Sequence, residues 1–432
     1  MNPKEKLQAH SDEFRKQLIS ISDNVHMGVG YGASNATMIE GKTSLIIVDT
    51  LESTSAAELL LADFRQISQK PVGAIIYTHS HRDHVSGATV FAAGFADGRE
   101  PIIYARPAET DMLGAPEIAN ISRLRAKRQF AIGEPSWVRI NLGLGPGERP
   151  LKGLGAGVLP ATHLVTEARE TLSIDGETIE CVAAPGETTD TMVLWLPDQR
   201  ILIGADNYYK SFPNISPIRG SSYRDVGMWV DSLNTMLALE ADVLIPGHSR
   251  PLQGAETIRE VLTNYRDAIQ FVLEETLAGI DKGMTPDELV QTVKLPMHLA
   301  ELPYLQEFYG HVAWSVRAIF AGYLGWFDGN PTNMFPLPPQ EEAQRMATLA
   351  GGTDALLANL KNAVNEGDSQ WALQLADALI ALNVQAADAK LLKSQALKSL
   401  AEEQVNATAR HYYLTYAHEL ESEVNMETVH EA

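Results

Sequence analysis

Between Thr78 and His84 the chain reads THSHRDH, which puts His79, His81, Asp83 and His84 within six residues. All four are side chains that ligate metal ions. The apolar run AIIY precedes them, so the cluster falls at the carboxyl end of a strand. Alternate residues of an extended segment point the same way, so His79 and His81 address one ion. A turn after them swings Asp83 and His84 towards a second. Imidazole and carboxylate without thiolate suit zinc, and also manganese or iron. Three of the chain's 12 histidines crowded beside an aspartate are poorly explained as accidental loop caps. Two ions need further ligands, and these recur where other apolar runs end: Glu187 after APG, Asp206 closing RILIGAD, His248 closing DVLIPGHS. Open α/β folds place their sites at such strand ends. Asp49, closing SLIIVD, is positioned to orient a ligand histidine from behind.

These residues need a frame, and the sequence divides into two textures. From about Ser20 to Gly254, β-rich runs alternate with helical stretches and Gly/Pro punctuation. Ser44–Asp49, Ala74–Ser80, Glu177–Gly186, Met192–Pro197, Arg200–Asp206 and Asp242–Ser249 read as strands, several buried on both faces. Ser55–Gln69 reads as a helix, with Leu59, Leu60, Phe64 and Ile67 at helical spacing. Strand, helix, strand is the order of an α/β domain, taken as residues 1–257. After Glu256 the β-runs stop. Ile258–Lys282 reads as one long helix, and Thr285 with Glu288 three residues on opens another. Gly329-Asn330-Pro331 breaks the chain, and a Pro-rich segment NMFPLPPQEE follows. Ala/Leu-rich helices then run from Thr353 to about Glu421, completing an all-α region at 258–432. One stretch, Gln370–Glu403, resembles a tetratricopeptide unit and reads more simply as a bundle that buries a subunit contact. The Gly-rich loop Leu142–Gly157 is too long to be idle connection.

Composition narrows the classes. Hydrophobic residues make up 45% and charged residues 21% of 432 positions, the balance of a folded protein of two or three domains. No window approaches the ~18 apolar residues of a membrane span. The polar start MNPKEKLQAHSDEFRKQL carries no leader pattern, so the expected location is the cytoplasm. Net charge is 34 − 55 = −21, which disfavours nucleic acid as a partner. A small anionic substrate stays open, because metal ions and a few arginines reverse the field locally. The single cysteine, Cys181, rules out an internal disulfide or a thiolate zinc site and reads as a buried small hydrophobe.

THSHRDH followed by PGETTD, GAD and PGHS, in that order, resembles the metallo-β-lactamase superfamily. That likeness implies an αββα sandwich around a dinuclear metal site. The family's usual third ligand on the first metal is a histidine in a GHT motif. Here the motif is Gly186-Glu187-Thr188, and glutamate at that place points to the alkyl sulfatase branch. IIYTHSHRDHVSGA, SPIRGSSYRD, YLGWFDGNP and FPLPP, with the Ala/Leu-rich helices behind them, resemble an alkyl sulfatase catalytic domain joined to its helical dimerisation domain. The likeness covers about Gly28 to Glu421. Better-known members continue into a sterol-carrier-like domain that this sequence does not include.

Carried over position by position, the resemblance gives His79, His81 and Glu187 to the first metal, and Asp83, His84 and His248 to the second. Asp206 stands between them, where the family often has glutamate. Asn214 and Arg219 match residues the family aims at the sulfate group, and a planar guanidinium suits two oxyanion oxygens. Arg224 either assists them or forms a structural ion pair. The family's helical domain supplies a histidine to protonate the departing alkoxide. Trp314 falls at that position here, and His311, about one helical turn earlier, is either its substitute or an ordinary polar helix residue; Trp314 reads as packing or as a border of the alkyl pocket.

The expected activity is therefore hydrolysis of an alkyl sulfate ester to alcohol and inorganic sulfate, by water activated on two zinc ions per subunit, with Asp83, Asp206 and Arg219 in the catalytic machinery. Manganese or iron are the other metals the ligands admit. Attack falls on sulfur or on carbon. Rival readings keep the site but change the substrate to a lactone, thioester, phosphodiester or β-lactam, exchange hydrolysis for redox chemistry on iron, or treat the chain as a helical interaction module with a vestigial metal site. A homodimer through the helical region is expected, since that region has more apolar faces than it needs alone.

Overall fold

The computed structural model describes residues 1–93, 100–108 and 119–431. Among these, two mixed sheets organise the larger unit. The first holds β1 (Gln17–Ser20), β2 (Val25–Val29), β3 (Ala36–Glu40), β4 (Leu45–Val48), β5 (Val72–Ile76), β6 (Ile102–Ala105) and β7 (His163–Leu164), in sequence order. Strands β1 to β4 pair antiparallel and β4 to β7 parallel. The second holds β8 (Arg169–Ile174), β9 (Glu177–Ala183), β10 (Met192–Leu196), β11 (Ile201–Ile203), β12 (Val243–Ile245) and β13 (Leu252–Gln253), ordered β13-β12-β11-β10-β9-β8. Only its β11–β12 pair is parallel.

The period of two along each strand sorts side chains into layers. On β4, Ile46 and Val48 enter the core between the sheets, while Leu45 and Ile47 meet the helix Thr54–Ile67. On β10, Met192 and Leu194 fill the inter-sheet core, and Val193 and Trp195 meet the helices Val226–Ala238 and Ala255–Asp281. Both faces of these strands are buried, which is why their sequences are apolar throughout. Helix, sheet, sheet, helix is the αββα order. Cys181 sits in the inter-sheet core as a buried thiol that desolvation pushes up to about 12.

The crossover from β4 to β5 is the helix Thr54–Ile67, started by the Ser53 side chain accepting from Ala56 N–H at 3.1 Å. Its buried stripe is Ala56, Leu60 and Phe64; Leu59 and Ile67, read from the sequence as part of that face, are 44% and 40% exposed. Full burial of Leu60 and Phe64 contributes roughly 1.5–3 kcal/mol each. Thr285 caps the helix Pro286–Thr292 with the reciprocal box read from the sequence, Glu288 returning to the Thr285 N–H at 2.8 Å.

The strands do end near 257, where the sequence changes texture, but packing groups the chain by other criteria. Residues 8–119 and 140–323 form one compact unit, and residues 1–7, 120–139 and 324–432 the other. Helix Ala255–Asp281 buries Leu262, Tyr265 and Ile269 with the second sheet, which draws it into the sheet unit. Within the other unit, helices Thr353–Glu366, Ser369–Leu382 and Ala386–Glu402 share a Leu/Ala core. The excursion at 120–139 joins them through Ala131 and Val138 packed with Ala401 and Leu414, and Arg128 paired with Glu419 at 2.7 Å. No helix among the described residues is long and apolar enough to cross a membrane.

Candidate functional site

The carboxyl ends of β4, β5, β11 and β12 and the turn after β9 all open on one edge of the sandwich. The two sheets are tied there by Met192 N–H donating to the Thr78 carbonyl at 2.9 Å. β5 stops at Ile76, so His79 and His81 sit in the loop beyond it rather than on the strand, and His81 precedes the short helix Arg82–Val85. β11 stops at Ile203, and a tight turn at Ala205–Asn207 presents Asp206. Asp49, Leu51, Ala205 and Ser249 all take positive φ, between 49° and 66°. Left-handed backbone at four non-glycine residues around one edge is strain held by its surroundings, as functional sites commonly show.

Two groups of side chains converge on this edge. Ligand atoms of His79, His81 and Asp206 lie within 4.8 Å of one another, and so do those of Asp83, His84 and His248. Asp206 bridges them: its Oδ2 is 3.5 Å from His79 Nε2 and 3.2 Å from His248 Nε2, and its Oδ1 is 3.3 Å from His84 Nε2. Six of the seven residues expected to ligate are thus brought together. The seventh, Glu187, is buried nearby but is ion-paired with Arg224, whose Nη1 also donates to the Asn214 carbonyl at 2.6 Å.

The partners behind the imidazoles fix their tautomers. His84 Nδ1 lies 2.8 Å from Asp49 Oδ2, and His248 Nδ1 lies 2.8 Å from the Ala33 carbonyl. Neither acceptor carries a proton to give, so both Nδ1 atoms donate and both Nε2 atoms are left facing Asp206, each a ligand atom once its own proton is released. His79 is set one step removed. Thr78 Oγ1 donates to Asp49 Oδ2 at 2.8 Å and therefore accepts from His79 Nδ1 at 3.0 Å, leaving the His79 Nε2 lone pair inward. Asp49 also accepts from Thr78 N–H at 2.8 Å, so this carboxylate anchors one histidine of each group.

Burial and charge act in opposite directions here. Burial would raise Asp206, yet His248, His84 and His79 hold it well below the usual carboxylate range. Burial would lower His84, yet Asp206, Asp49 and Asp83 hold it well above the usual imidazole value. His81 is driven well down by burial, then by His79, Arg224 and Arg219. Glu187 is pushed up to about 7 by burial, with Arg224 pulling the other way.

The donor set fits metal ions. His84 Nε2 and Asp206 Oδ1 are buried without a hydrogen-bond partner, and the inward His79 Nε2 lies 3.0 Å from His81 Nδ1. Buried polar atoms without partners are costly unless a cation takes them. Nitrogen and carboxylate oxygen suit zinc, manganese and iron alike.

Next to this cluster, Arg224 has Nε and Nη2 buried without partners, open to an anion. Arg219 is held cationic: burial opposes this, and Tyr309, Glu187 and Asp83 favour it. Asn214 is buried, its N–H donating to the Tyr209 hydroxyl at 2.8 Å. His311 and Trp314 stack on each other at 5.1 Å, His311 Nδ1 standing 3.5 Å from Glu307, and neither belongs to the converging groups. Burial lowers His311. Several contributors escaped the sequence reading. Thr78 was visible inside THSHRDH but carried no ligand signal of its own. Tyr309, beside Arg219, reads as one more aromatic of a helical region. Ala33 and Ser34, the latter donating to the Asp83 carbonyl, act through backbone and hydroxyl positions that no motif marks.

Comparison with known proteins bears on both halves. Residues 29–248 match the metallo-beta-lactamase superfamily and residues 285–423 match the alkyl sulfatase dimerisation family. The chain is 39% identical to a linear primary-alkylsulfatase of Pseudomonas sp. over 394 residues, covering 90% of this chain and 74% of that protein. It is 33% identical to an alkyl/aryl-sulfatase of Saccharomyces cerevisiae, covering 93% of this chain and 64% of the relative. The structure of a stereoselective inverting sec-alkylsulfatase from Pseudomonas sp. superposes with a TM-score of 0.85 at 29% identity, covering 94% of this chain and 65% of the other. The chain thus spans under two thirds of the length of two of these three relatives.

Proposed function

This chain belongs to the metallo-β-lactamase superfamily, and from that premise we propose that it is an alkyl sulfatase, cleaving an alkyl sulfate ester to an alcohol and inorganic sulfate. One observation carries the reading: two ligand groups meet at the buried Asp206 and stand beside Arg224, whose Nε and Nη2 have no protein partner. His79, His81 and Glu187 would hold the first ion, Asp83, His84 and His248 the second, with Asp206 between them; zinc is the metal proposed. Bound there, the ions supply Lewis-acid activation of water at neutral pH.

The chain's own residues do the rest. Asp49 and Ala33 hold three imidazoles with Nε2 inward, two of them through Asp49, so the rings would need little reorientation for ligation. Glu187 would reach the first ion only with its pairing to Arg224 shared or released, which would tie ion binding to freeing a guanidinium for substrate. Arg219, Arg224 and Asn214 would bind the sulfate oxygens, favouring R–O–SO3⁻ over neutral esters. His311 is the proposed proton donor to the departing alcohol, with Trp314 beside the alkyl group. The helical part from 258 onward is proposed to pair two copies. Trp326, Met334, Phe335 and Leu337, exposed on the irregular segment before helix Pro339–Ala350, support this.

The test is a substrate panel with metal content measured alongside. Primary and secondary alkyl sulfates should turn over, activity should vanish on chelation and return with zinc, and 18O-labelled water will show which bond breaks. Intact alkyl sulfates beside a hydrolysed lactone or β-lactam would overturn the proposal.

A further inference from the structure

The Gly-rich loop Leu142–Gly157 has no part in the chemistry above, yet it lies against the loops that carry it. It buries an ion pair: Arg149 Nε donates to Glu52 Oε1 at 2.6 Å, with the two side chains 3% and 6% exposed. A buried pair of this kind is seldom retained for stability, because desolvation consumes most of its Coulomb attraction. Its geometry shows another use. The same Glu52 Oε1 accepts from Ala33 N–H at 2.9 Å, and the Ala33 carbonyl is the acceptor that fixes His248 Nδ1. Gly145 presses on that carbonyl from the loop side: a Cβ there would stand 2.4 Å from the Ala33 oxygen. The next residue, Ser34, holds the Asp83 carbonyl, and Asn35 N–H donates to Gly247 at 2.7 Å. One short segment, 33–35, thus touches the backbone or ring of Asp83 and His248, two members of one ligand group. Its position is set from behind by Glu52, Arg149 and Gly145.

We propose that the buried Arg149–Glu52 pair and the close approach of Gly145 are positioning elements that set the second ion's ligands, acting through the Ala33 peptide. This rests on reading the converging side chains as metal ligands. The pair reaches His248 and Asp83 but not His79 or His81, so its effect is selective. The fixed charges serve orientation here: Glu52 receives Ala33 N–H and Arg149 keeps that carboxylate ionised and immobile.

Zinc titrated into the metal-free full chain against a chromophoric chelator tests this by resolving two binding steps. The double variant Glu52→Leu with Arg149→Met removes both buried charges together, so no lone ion is left to unfold the protein. Gly145→Ala perturbs the same carbonyl by volume alone. Each should weaken one zinc step about 10- to 100-fold and leave the other within about twofold. Glu52→Gln with Arg149→Met, which keeps an oxygen for Ala33 N–H and leaves no lone charge, should restore most of the loss. Melting of the metal-free protein is the control, since a purely structural pair would lower it with both zinc steps unchanged. Folded variants that bind both ions at wild-type affinity, or that lose both steps equally, would overturn the inference. Wild-type protein that takes up no zinc would overturn the metal reading, and this inference with it.

Discussion

Replacing Asp49 by asparagine should damage both halves of the metal centre through proton placement. Asp49 has φ of 59°, a conformation asparagine tolerates, so the substitution adds little backbone strain, whereas alanine would add about 1–2 kcal/mol. With its carbonyl kept on Thr78 N–H, the new amide places NH2 where Oδ2 now accepts from Thr78 Oγ1 and His84 Nδ1. His84 Nδ1 must then accept, so its remaining proton sits on Nε2, the atom aimed at Asp206. Thr78 Oγ1 must donate to His79 instead, so His79 inverts in the same way. Losing such a partner typically costs 10–100-fold in metal affinity, or about 1.4–2.7 kcal/mol, and here one histidine in each ligand group is affected. Both zinc steps should therefore weaken, in contrast to the single-step loss expected for Glu52 and Arg149. Nitrogen-15 NMR of the histidine rings in metal-free protein reads the tautomers directly. Wild-type tautomers or wild-type zinc affinity in Asp49→Asn would refute the reasoning.

Three further outcomes follow from the packing. His10 is buried, stacked on Phe308 at 4.0 Å, and its imidazole is lowered to about 4, chiefly by burial. A neutral buried imidazole contributes stability that is complete above the unfolded value of about 6.5 and is lost as pH falls through 4. The loss reaches about 3 kcal/mol, and metal-free His10→Phe should show a flatter dependence in urea melts between pH 7 and 4. Trp326 is 77% and Phe335 92% exposed, so Trp326→Ser with Phe335→Ser should shift sedimentation towards monomer without lowering the melting temperature; unchanged sedimentation would place the subunit contact elsewhere. Thr285→Ala removes the hydroxyl half of a capping box, leaving the backbone N–H to Glu288, and should cost about 1 kcal/mol in chemical denaturation while leaving turnover unchanged.

The burial of β4 and β10 on both faces was legible because they carry apolar residues at every position, whereas the αββα order came with the likeness of THSHRDH, PGETTD, GAD and PGHS to a known superfamily. The apolar stripe of Thr54–Ile67 was misjudged at Leu59 and Ile67, since large apolar residues compete with small Ala56 for attention and periodicity alone does not say which face lies inward. The packing of 120–139 with the helical region escaped notice altogether: Ala131 and Val138 meet Ala401 and Leu414 across more than 260 positions, and no local pattern encodes a contact at that separation.

By itself the sequence determined which atoms are available to bind metal: THSHRDH, Asp206 and His248 are ligand types standing where apolar runs end. Only the tertiary structure decided how each ligand is held. The Ala33 carbonyl behind His248, the Thr78 relay to His79, and Glu187 drawn to Arg224 all join residues far apart in the chain or backbone groups common to every residue. A hydrogen bond depends on direction and distance in space, and a peptide carbonyl leaves no mark in a sequence of side chains.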